Sequence, residues 1–287
     1  MSDPKHLEIP GHVSLCPGNG GLPKVLIETA WSTAEIYLHG AHVTGFQKKG
    51  EAPLLFMSGD SEFLSAKPIR GGVPIVFPWF GPREGLGAHG FARTVAWNLR
   101  ETQLLENGVV RLLFALPPTE FFEVEYIVMV AETLTLELIV KNDSGRNAVF
   151  ETCLHTYFHV SEIDAISITG LKNTAYHDKV NDVRALETAP AIHIDREVDR
   201  VYSDTTATVE ILDPGFKRTI RVEKSGSNST VVWNPWIDKS HRMTDFGDDD
   251  YLRMVCLESG NVAKNHLTLP PGERAVLKVE VSSGELK

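Results

Sequence analysis

LTLELIV, from Leu134 to Val140, is the stretch that indicates the fold most directly. Apolar residues occupy every second position, with Thr135 and Glu137 between them. Successive side chains of a β-strand point to opposite faces, so this alternation is typical of a strand with one buried face. The apolar face comprises Leu134, Leu136, Leu138 and Val140. We therefore predict a half-buried strand here.

Similar runs recur along the chain and are separated by turn-forming segments such as Glu106–Gly108 and Pro270–Gly272. Many strands joined by polar turns predict an all-β fold, a large antiparallel β-sandwich with very little helix. We expect a single domain over residues 1–287, because no linker or repeat divides the chain. Short helices are expected only within Lys239–Phe246 and Val180–Leu186. The other predicted strands are Lys24–Thr29, Val109–Ala115, Phe122–Val130, Ala207–Leu212, Lys217–Val222, Thr230–Trp233, Arg253–Leu257 and Ala275–Val281.

Composition excludes several classes of protein. A formal net charge of −10 argues against a general nucleic-acid surface, which needs clustered lysine and arginine. No apolar run has the length of a membrane span, and the first residues lack the layout of a secretory signal. Three cysteines are too few for a disulfide framework. We expect a cytoplasmic protein, a monomer without nucleic-acid or membrane partners.

The segment from Lys67 to Trp97 groups cationic side chains with glycines and prolines. Its prolines forbid a continuous helix, so Lys67, Arg70, Arg93 and His89 must lie on loops or strand ends. In an acidic chain this cluster indicates a site for a small anion, the alternative being solvated surface charge. The same segment contains G-x-G-x-x-G at Gly85–Gly90, but strand periodicity follows it rather than a helix, which argues against a dinucleotide site.

Two apolar strands carry titratable side chains next to thiols. If Phe150–His159 is one strand, His155 shares a face with Cys153, and on the later strand Glu258 shares a face with Cys256. Partial burial shifts the pKa of such groups, and pairs of this kind serve general acid–base catalysis. Taken singly, each is also explained as a hydrogen-bonded core histidine or a solvated strand-end carboxylate.

Metal binding is the main competing chemistry for these residues. His155 and His159 have H-x-x-x-H spacing, but the glutamate and the helix of the H-E-x-x-H zinc site are both missing. On a strand the two histidines would lie about 13 Å apart. We therefore expect neither metal nor cofactor.

Two further segments have the chemistry of sugar contacts. Asp199 lies in the charged segment Glu197–Tyr202 and could bind hydroxyl groups, or could belong to a charged turn. Trp233 and Trp236 could stack on the apolar face of a sugar ring, although buried packing is the commoner use of tryptophan.

Taken together, these segments resemble the hexose-6-phosphate mutarotases, or glucose-6-phosphate 1-epimerases, of the aldose 1-epimerase superfamily. The likeness covers most of the chain from Lys67 to Glu273, in the order of the family. It is carried by KPIRGGVPIVFPWFG (67–81), HGFART-x-x-W (89–97), ETCLHTYFHVSEI (151–163), DRVY (199–202) with VVWNPW (231–236), and MVCLESGN (254–261) leading to LPPGE (269–273). The resemblance implies a β-sandwich with its site on a concave face.

The resemblance also implies roles for particular residues. His155 matches the general acid of the family and Glu258 its general base; together they would open and reclose the ring of a hexose 6-phosphate without a cofactor. The residues that match substrate-binding positions are Arg70, His89, Arg93 and Asp199. One departure is Ala88, where the family often has glutamine before HGFAR. The alternatives are a mutarotase for unphosphorylated aldoses and a non-catalytic carbohydrate sensor.

Overall fold

The main regular structure of the chain consists of β-strands, which a computed structural model describes over residues 4–286. The first are β1 Val13–Pro17, β2 Pro23–Glu28, β3 Ser32–Tyr37, β4 His42–Lys48, β5 Ile75–Val76, β6 Pro82–Arg83, β7 Gly87–Ala88 and β8 Asn98–Leu104. They are followed by β9 Val110–Ala115, β10 Phe122–Val130, β11 Leu134–Asn142, β12 Ala148–Phe150, β13 Thr152–Leu154, β14 Tyr157–His159, β15 Ser167–Thr169, β16 Ala175–Asp178 and β17 Val183–Leu186. The last are β18 Ala191–Ile192, β19 Val198–Ser203, β20 Val209–Asp213, β21 Arg218–Ser225, β22 Ser229–Asn234, β23 Met254–Asn261, β24 Leu267–Leu269 and β25 Arg274–Glu285.

Helical structure is confined to short pieces. Within the described range there is one α-helix, α1 (Trp236–Ser240), and its length cannot span a membrane. The 3-10 turns are Pro4–Leu7, Asn19–Gly21, Ala92–Thr94, Asp250–Arg253 and Ala263–Asn265.

The described residues form two large sheets, one four-stranded sheet and two two-stranded sheets, β6 with β7 and β12 with β24. The nine-stranded sheet has the order β18-β15-β20-β21-β25-β11-β10-β9-β8, and the eight-stranded sheet has the order β17-β16-β19-β22-β23-β13-β5, with β14 also paired to β23. Strands β1 to β4 form the third sheet in chain order. Neighbouring strands in these sheets pair antiparallel. The all-β sandwich predicted from the sequence is confirmed.

The main hydrophobic core draws side chains from the three larger sheets. Ile36 of β3, Leu136 of β11 and Leu257 of β23 are all buried in it. The alternation predicted for Leu134–Val140 is confirmed, because its apolar set is buried while Glu137 is only half-buried. The sandwich is therefore held together by the inward faces of alternating strands.

The opposite face of the eight-stranded sheet carries a second, smaller cluster. Along β23, Val255 and Leu257 enter the main core, whereas Cys256 enters this second cluster together with Trp233. Glu258, two residues after Cys256, points the same way by the alternation of a strand. This covered outer face, which we call the site face, carries most of the residues that the sequence analysis singled out.

Three local predictions are wrong or incomplete. Residues 183–186 form β17, which pairs with β16, rather than a helix. The helix expected at Lys239–Phe246 lies earlier, at Trp236–Ser240. The strand expected over Phe150–His159 is broken at Glu151 and again at His155–Thr156. Phe150 ends β12, which pairs with β24, whereas β13 and β14 both pair with β23. Segments of a few residues take the structure that their hydrogen-bonding neighbours impose, because isolated short helices are marginal in water.

Candidate active site

His155 and Glu258 meet on the site face. β13 and β23 are antiparallel with Leu154 opposite Ser259, which brings the next residue, His155, beside Glu258. The His155 Nε2 atom lies 3.1 Å from Glu258 Oε1, and the two side chains are 9% and 1% exposed. A sequence separation of about a hundred residues is thus closed by strand register alone. The two groups form a contact pair, the arrangement that acid–base chemistry on one small substrate requires.

Burial shifts the pKa of each member of the pair toward its neutral form. The pKa of His155 is well below its ordinary value because of burial first, and then because of His89 and the arginines nearby. The pKa of Glu258 is well above its ordinary value, again because of burial first and then the charge of Asp199. Coupled groups titrate as a pair. Burial thus favours the neutral form of each group, a protonated Glu258 beside a neutral His155.

Arg70 is held in a fixed orientation at the edge of the pair. Its Nε and Nη2 atoms donate to Asp245 Oδ2 at 3.2 and 3.0 Å, and its Nη1 atom donates to the Tyr157 hydroxyl at 3.1 Å. The Tyr157 ring stacks on His155, with ring centres 4.9 Å apart and planes at 16°. Tyr157 thus contacts both Arg70 and His155, and the Arg70 guanidinium places a positive charge near the pair.

His89 and Arg93 lie on the loop before β8. The His89 ring centre is 5.6 Å from that of His155, and its Nδ1 atom accepts from the Gly81 amide at 3.3 Å. That acceptor role leaves Nε2–H as the donor. Burial, and then Arg93, lowers the pKa of His89 to about 3, so the ring is neutral.

The Arg93 guanidinium is buried with a single protein acceptor, the Ala88 carbonyl at 2.9 Å from Nη2. Its Nε atom is buried without a hydrogen-bond partner. Burial, and then the charge of Arg70, lowers the pKa of Arg93 to about 10. An incompletely satisfied buried cation favours an anionic or polar ligand. Ala88, at a position where the family often has glutamine, contacts Arg93 through its backbone carbonyl.

Asp199 lies on β19, opposite Trp233 in the register of the sheet. Its Oδ2 atom is 4.0 Å from Lys179 Nζ, and its side chain is 18% exposed. Burial raises the pKa of this carboxyl above its ordinary value. The Asp199 carboxylate thus faces the site beside a tryptophan, as a sugar-binding aspartate would.

One part of the predicted cationic cluster is wrong. Lys67 points to Glu62, 2.5 Å away, and its side chain is 52% exposed. The glycine motif at Gly85–Gly90 lies in the hairpin of β6 and β7, so the prediction that it does not bind a dinucleotide agrees with its structure. The structure thus brings together the six predicted site residues, His155, Glu258, Arg70, His89, Arg93 and Asp199, and leaves Lys67 in solvent.

Sequence reasoning missed three members of the site. Tyr157 supports both His155 and Arg70, Asp245 anchors Arg70, and Lys179 places a second cation near Asp199. Tyr157 was within reach of sequence reasoning, since it shares a strand face with a candidate acid. Asp245 and Lys179 lie in irregular segments, and no periodicity marks them.

One cavity lined by described residues adjoins the site. Its volume is about 590 Å³, and it continues the site face past Lys179 toward the edge strands β16 and β17. Its charged lining comprises Glu151, His177, Lys179, Arg184 and Lys264. A second cavity, about 920 Å³, lies against β1 to β4, and neither cavity is lined by any of the six residues.

The site can also be read as a donor set for a cation. One atom each from His155, Cys256 and Glu258 lie within 4.8 Å of one another, and all three residues are buried. His159 is not part of that group and packs against Phe216 instead. The H-x-x-x-H pair considered from the sequence is thus not formed.

Comparison with known proteins identifies the family. The aldose 1-epimerase profile matches residues 23–282. A protein of Cenchrus ciliaris provisionally named glucose-6-phosphate 1-epimerase is 36% identical over 271 residues, 88% of this chain and 82% of the relative. One of the same name from Escherichia coli (strain K12) is 34% identical over 256 residues, 83% of each chain. The crystal structure of a provisionally named mutarotase (YeaD) from Salmonella typhimurium superposes with a TM-score of 0.90 at 28% identity, covering 97% of this chain and 95% of that one. The family predicted from the sequence is confirmed: the chain belongs to the aldose 1-epimerase family.

Proposed function

We propose that this protein is a glucose-6-phosphate 1-epimerase, which interconverts the α and β anomers of hexose 6-phosphates. The observation that carries the proposal is the 3.1 Å contact between His155 Nε2 and Glu258 Oε1 in a buried, cation-lined site. Family membership and the names of the two relatives support the same reaction.

The reaction needs one proton moved at each of two oxygens. Transfer of the shared proton from Glu258 to His155 leaves a carboxylate and an imidazolium without changing the net charge of the pair. Glu258 takes the proton of the C1 hydroxyl while His155 donates its proton to the ring oxygen. The bond between C1 and the ring oxygen breaks and C1 becomes an aldehyde. Rotation about C1–C2 and the reverse transfers close the ring on the other face.

This route uses the buried pair as its only proton carrier. Each positioned proton transfer typically contributes about 10²–10⁴-fold in rate. No electrons are transferred and the leaving oxygen is protonated as it forms, so the mechanism requires neither a redox cofactor nor a metal.

The cations around the pair suit a phosphorylated substrate. Arginine meets phosphate oxygens with two parallel N–H groups, and Arg70 and Arg93 both lie beside the pair. A bound phosphate lends binding energy that orients the reacting carbon. His89 would donate its Nε2–H to a sugar hydroxyl and Asp199 would accept from one. Lys179 is a third candidate for the anion.

Location follows from the substrate and the thiols. Cys16, Cys153 and Cys256 are all unpaired, which is the usual state in a reducing compartment. Hexose phosphates are charged and do not cross bilayers freely. We place the activity in the cytoplasm.

Two-dimensional exchange NMR on equilibrated sugars tests the proposal. We expect added protein to accelerate α/β exchange of glucose 6-phosphate strongly and that of glucose or galactose much less. Equal acceleration of all three would favour the aldose mutarotase. Line shifts on binding without faster exchange would identify a non-catalytic sensor, and no effect on any sugar would end the enzyme proposal.

A further inference from the structure

Two buried thiols flank the carboxylate of Glu258, and the proposed reaction uses neither. Cys153 donates its S–H to Glu258 Oε2 at 3.6 Å. Cys256 precedes Glu258 by two residues on β23 and points to the same face. Both thiols are fully buried and free.

Only one of the thiols belongs to a compact donor group. Single ligand atoms of His155, Cys256 and Glu258 lie within 4.8 Å of one another, and Cys153 is not a member. Within residues 4–286 no other group of three histidine, cysteine, aspartate or glutamate residues has its ligand atoms so close. The exposed His177–Asp182 pair, 2.8 Å apart, offers two ligands and no thiol.

The distances suit a small tetrahedral cation. Zinc bonds of about 2.0–2.3 Å to nitrogen, oxygen and sulfur place neighbouring ligand atoms about 3.4–3.6 Å apart. The imidazole and carboxylate already lie at 3.1 Å, and all three ligand atoms lie within 4.8 Å, so shifts of about an ångström bring them to zinc-binding distances. A thiolate, an imidazole and a carboxylate select Zn²⁺ over Mg²⁺ or Ca²⁺.

We propose that His155, Cys256 and Glu258 form an inhibitory site for Zn²⁺ and similar soft divalent cations. On binding, the thiol proton and the proton shared by the pair pass to solvent, and Zn–S, Zn–N and Zn–O bonds form. The cation then occupies both the acid and the base, so a hexose phosphate and the metal compete for one site. The inhibition arm of this proposal rests on the proposed function; the binding arm does not.

The test compares the same substitution at the two thiols. Zn²⁺ is titrated into the exchange assay with wild type, Cys256→Ser and Cys153→Ser, each measured relative to its own rate without metal. Loss of one ligand should raise the half-inhibitory Zn²⁺ concentration of Cys256→Ser by about 100-fold or more. Even the loss of a group hydrogen-bonded to a metal ligand typically lowers metal affinity by about 10–100-fold. Cys153→Ser should stay near the wild-type concentration. Cys256→Ala replaces the serine variant if that protein does not fold.

Direct binding supplies the second readout. Co²⁺ added to wild type and to Cys153→Ser should give the near-ultraviolet absorption of a thiolate–cobalt bond, which Cys256→Ser should lack; Zn²⁺ should bleach it. The proposal is overturned if Zn²⁺ does not inhibit, if Cys256→Ser is inhibited as readily as wild type, or if Cys153→Ser is relieved equally. If no protein shows epimerase activity, the proposed function fails while the cobalt spectra still decide the metal site.

Discussion

Burial of His155 and Glu258 shifts the pKa of both groups. Desolvation lowers the pKa of the imidazole and raises that of the carboxyl, and both shifts favour a neutral pair. The general-acid role expected for His155 requires a protonated imidazole, whereas burial favours its neutral form. The difference matters little for turnover, because one transfer across 3.1 Å creates the acid and the base together.

Glu258→Gln tests the carboxylate without changing its shape. We expect the rate of anomer exchange to fall by roughly 10²–10⁴-fold, since the amide cannot accept the C1 proton. The melting temperature should stay equal or rise, because the variant no longer buries an ionisable group. Exchange NMR and thermal unfolding measure the two effects. An active variant, or an inactive one that is unfolded, would contradict the assignment.

Arg70→Ala tests which cation recognises phosphate. Truncating a buried, hydrogen-bonded charge typically costs 2–5 kcal/mol, about 30-fold or more in affinity. We expect kcat/KM to fall by that order for glucose 6-phosphate and far less for glucose. Asp245→Asn is the matched control, since it removes the anchor of Arg70 and keeps the cation. Equal losses on both sugars would assign Arg70 to the ring hydroxyls instead.

Strand register forms the site at the element scale. The alternation in Leu134–Val140 and in β23 could be read from the sequence because each strand has one apolar set in the main core. The interruption at His155–Thr156 could not be predicted, since it depends on how β13 and β14 each pair with a different part of β23. Asp245 could not be predicted either, because it accepts hydrogen bonds from Arg70, 175 residues away, and no sequence pattern indicates so distant a contact.

Gly90 fixes the loop that carries His89 and Arg93. Its φ is +69°, and a Cβ there would lie 1.9 Å from the Phe77 carbonyl oxygen, which accepts from the Phe91 amide. We expect Gly90→Ala to lower the free energy of unfolding by roughly 2–5 kcal/mol, from left-handed backbone and overpacking together. Chemical denaturation measures the loss.

The control for that variant lies in the same segment. Gly85 also has a positive φ, +72°, but a Cβ there meets nothing within 4 Å. Gly85→Ala should therefore cost only about 1–2 kcal/mol. Similar losses for the two variants would show that the contact with Phe77 is not what holds the loop.

His42 of β4 connects the four-stranded sheet to the loop that carries Arg70, and its titration makes the stability of the fold sensitive to acid. Its Nε2–H donates to the Gly71 carbonyl at 2.7 Å, and burial lowers its pKa to about 3. Between pH 3 and 6.5 the unfolded state binds the extra proton, so stability falls as the pH falls. From pH 6.5 to 4.5 this residue alone should cost about 2 kcal/mol. His42→Gln, which keeps a donor for Gly71, should flatten that part of the stability profile; an unchanged profile would assign acid sensitivity elsewhere.

At the scale of the whole molecule, one core connects sheets that begin and end far apart in sequence. Val25 of β2, Leu136 of β11 and Leu257 of β23 belong to the same cluster. From the sequence, a single core could be inferred only because no linker divides the chain. Periodicity shows that one face of a strand is buried, but not which sheet covers that face. Fold class and family were therefore within reach, whereas the covering of the site face by a second cluster was not.

A continuous core predicts that residues 1–287 unfold as one unit. Neither large sheet can expose its inner face without exposing that of its partner, so intermediates with one sheet intact are costly. We expect calorimetry to show a single transition whose van't Hoff and calorimetric enthalpies agree, with tryptophan fluorescence and far-ultraviolet circular dichroism coincident. Trp97 lies in the main core and Trp233 on the site face, so Trp97→Phe and Trp233→Phe report the two regions separately. Two separated transitions would divide the chain into domains. Different midpoints for Trp97→Phe and Trp233→Phe, beyond their own stability changes, would do the same.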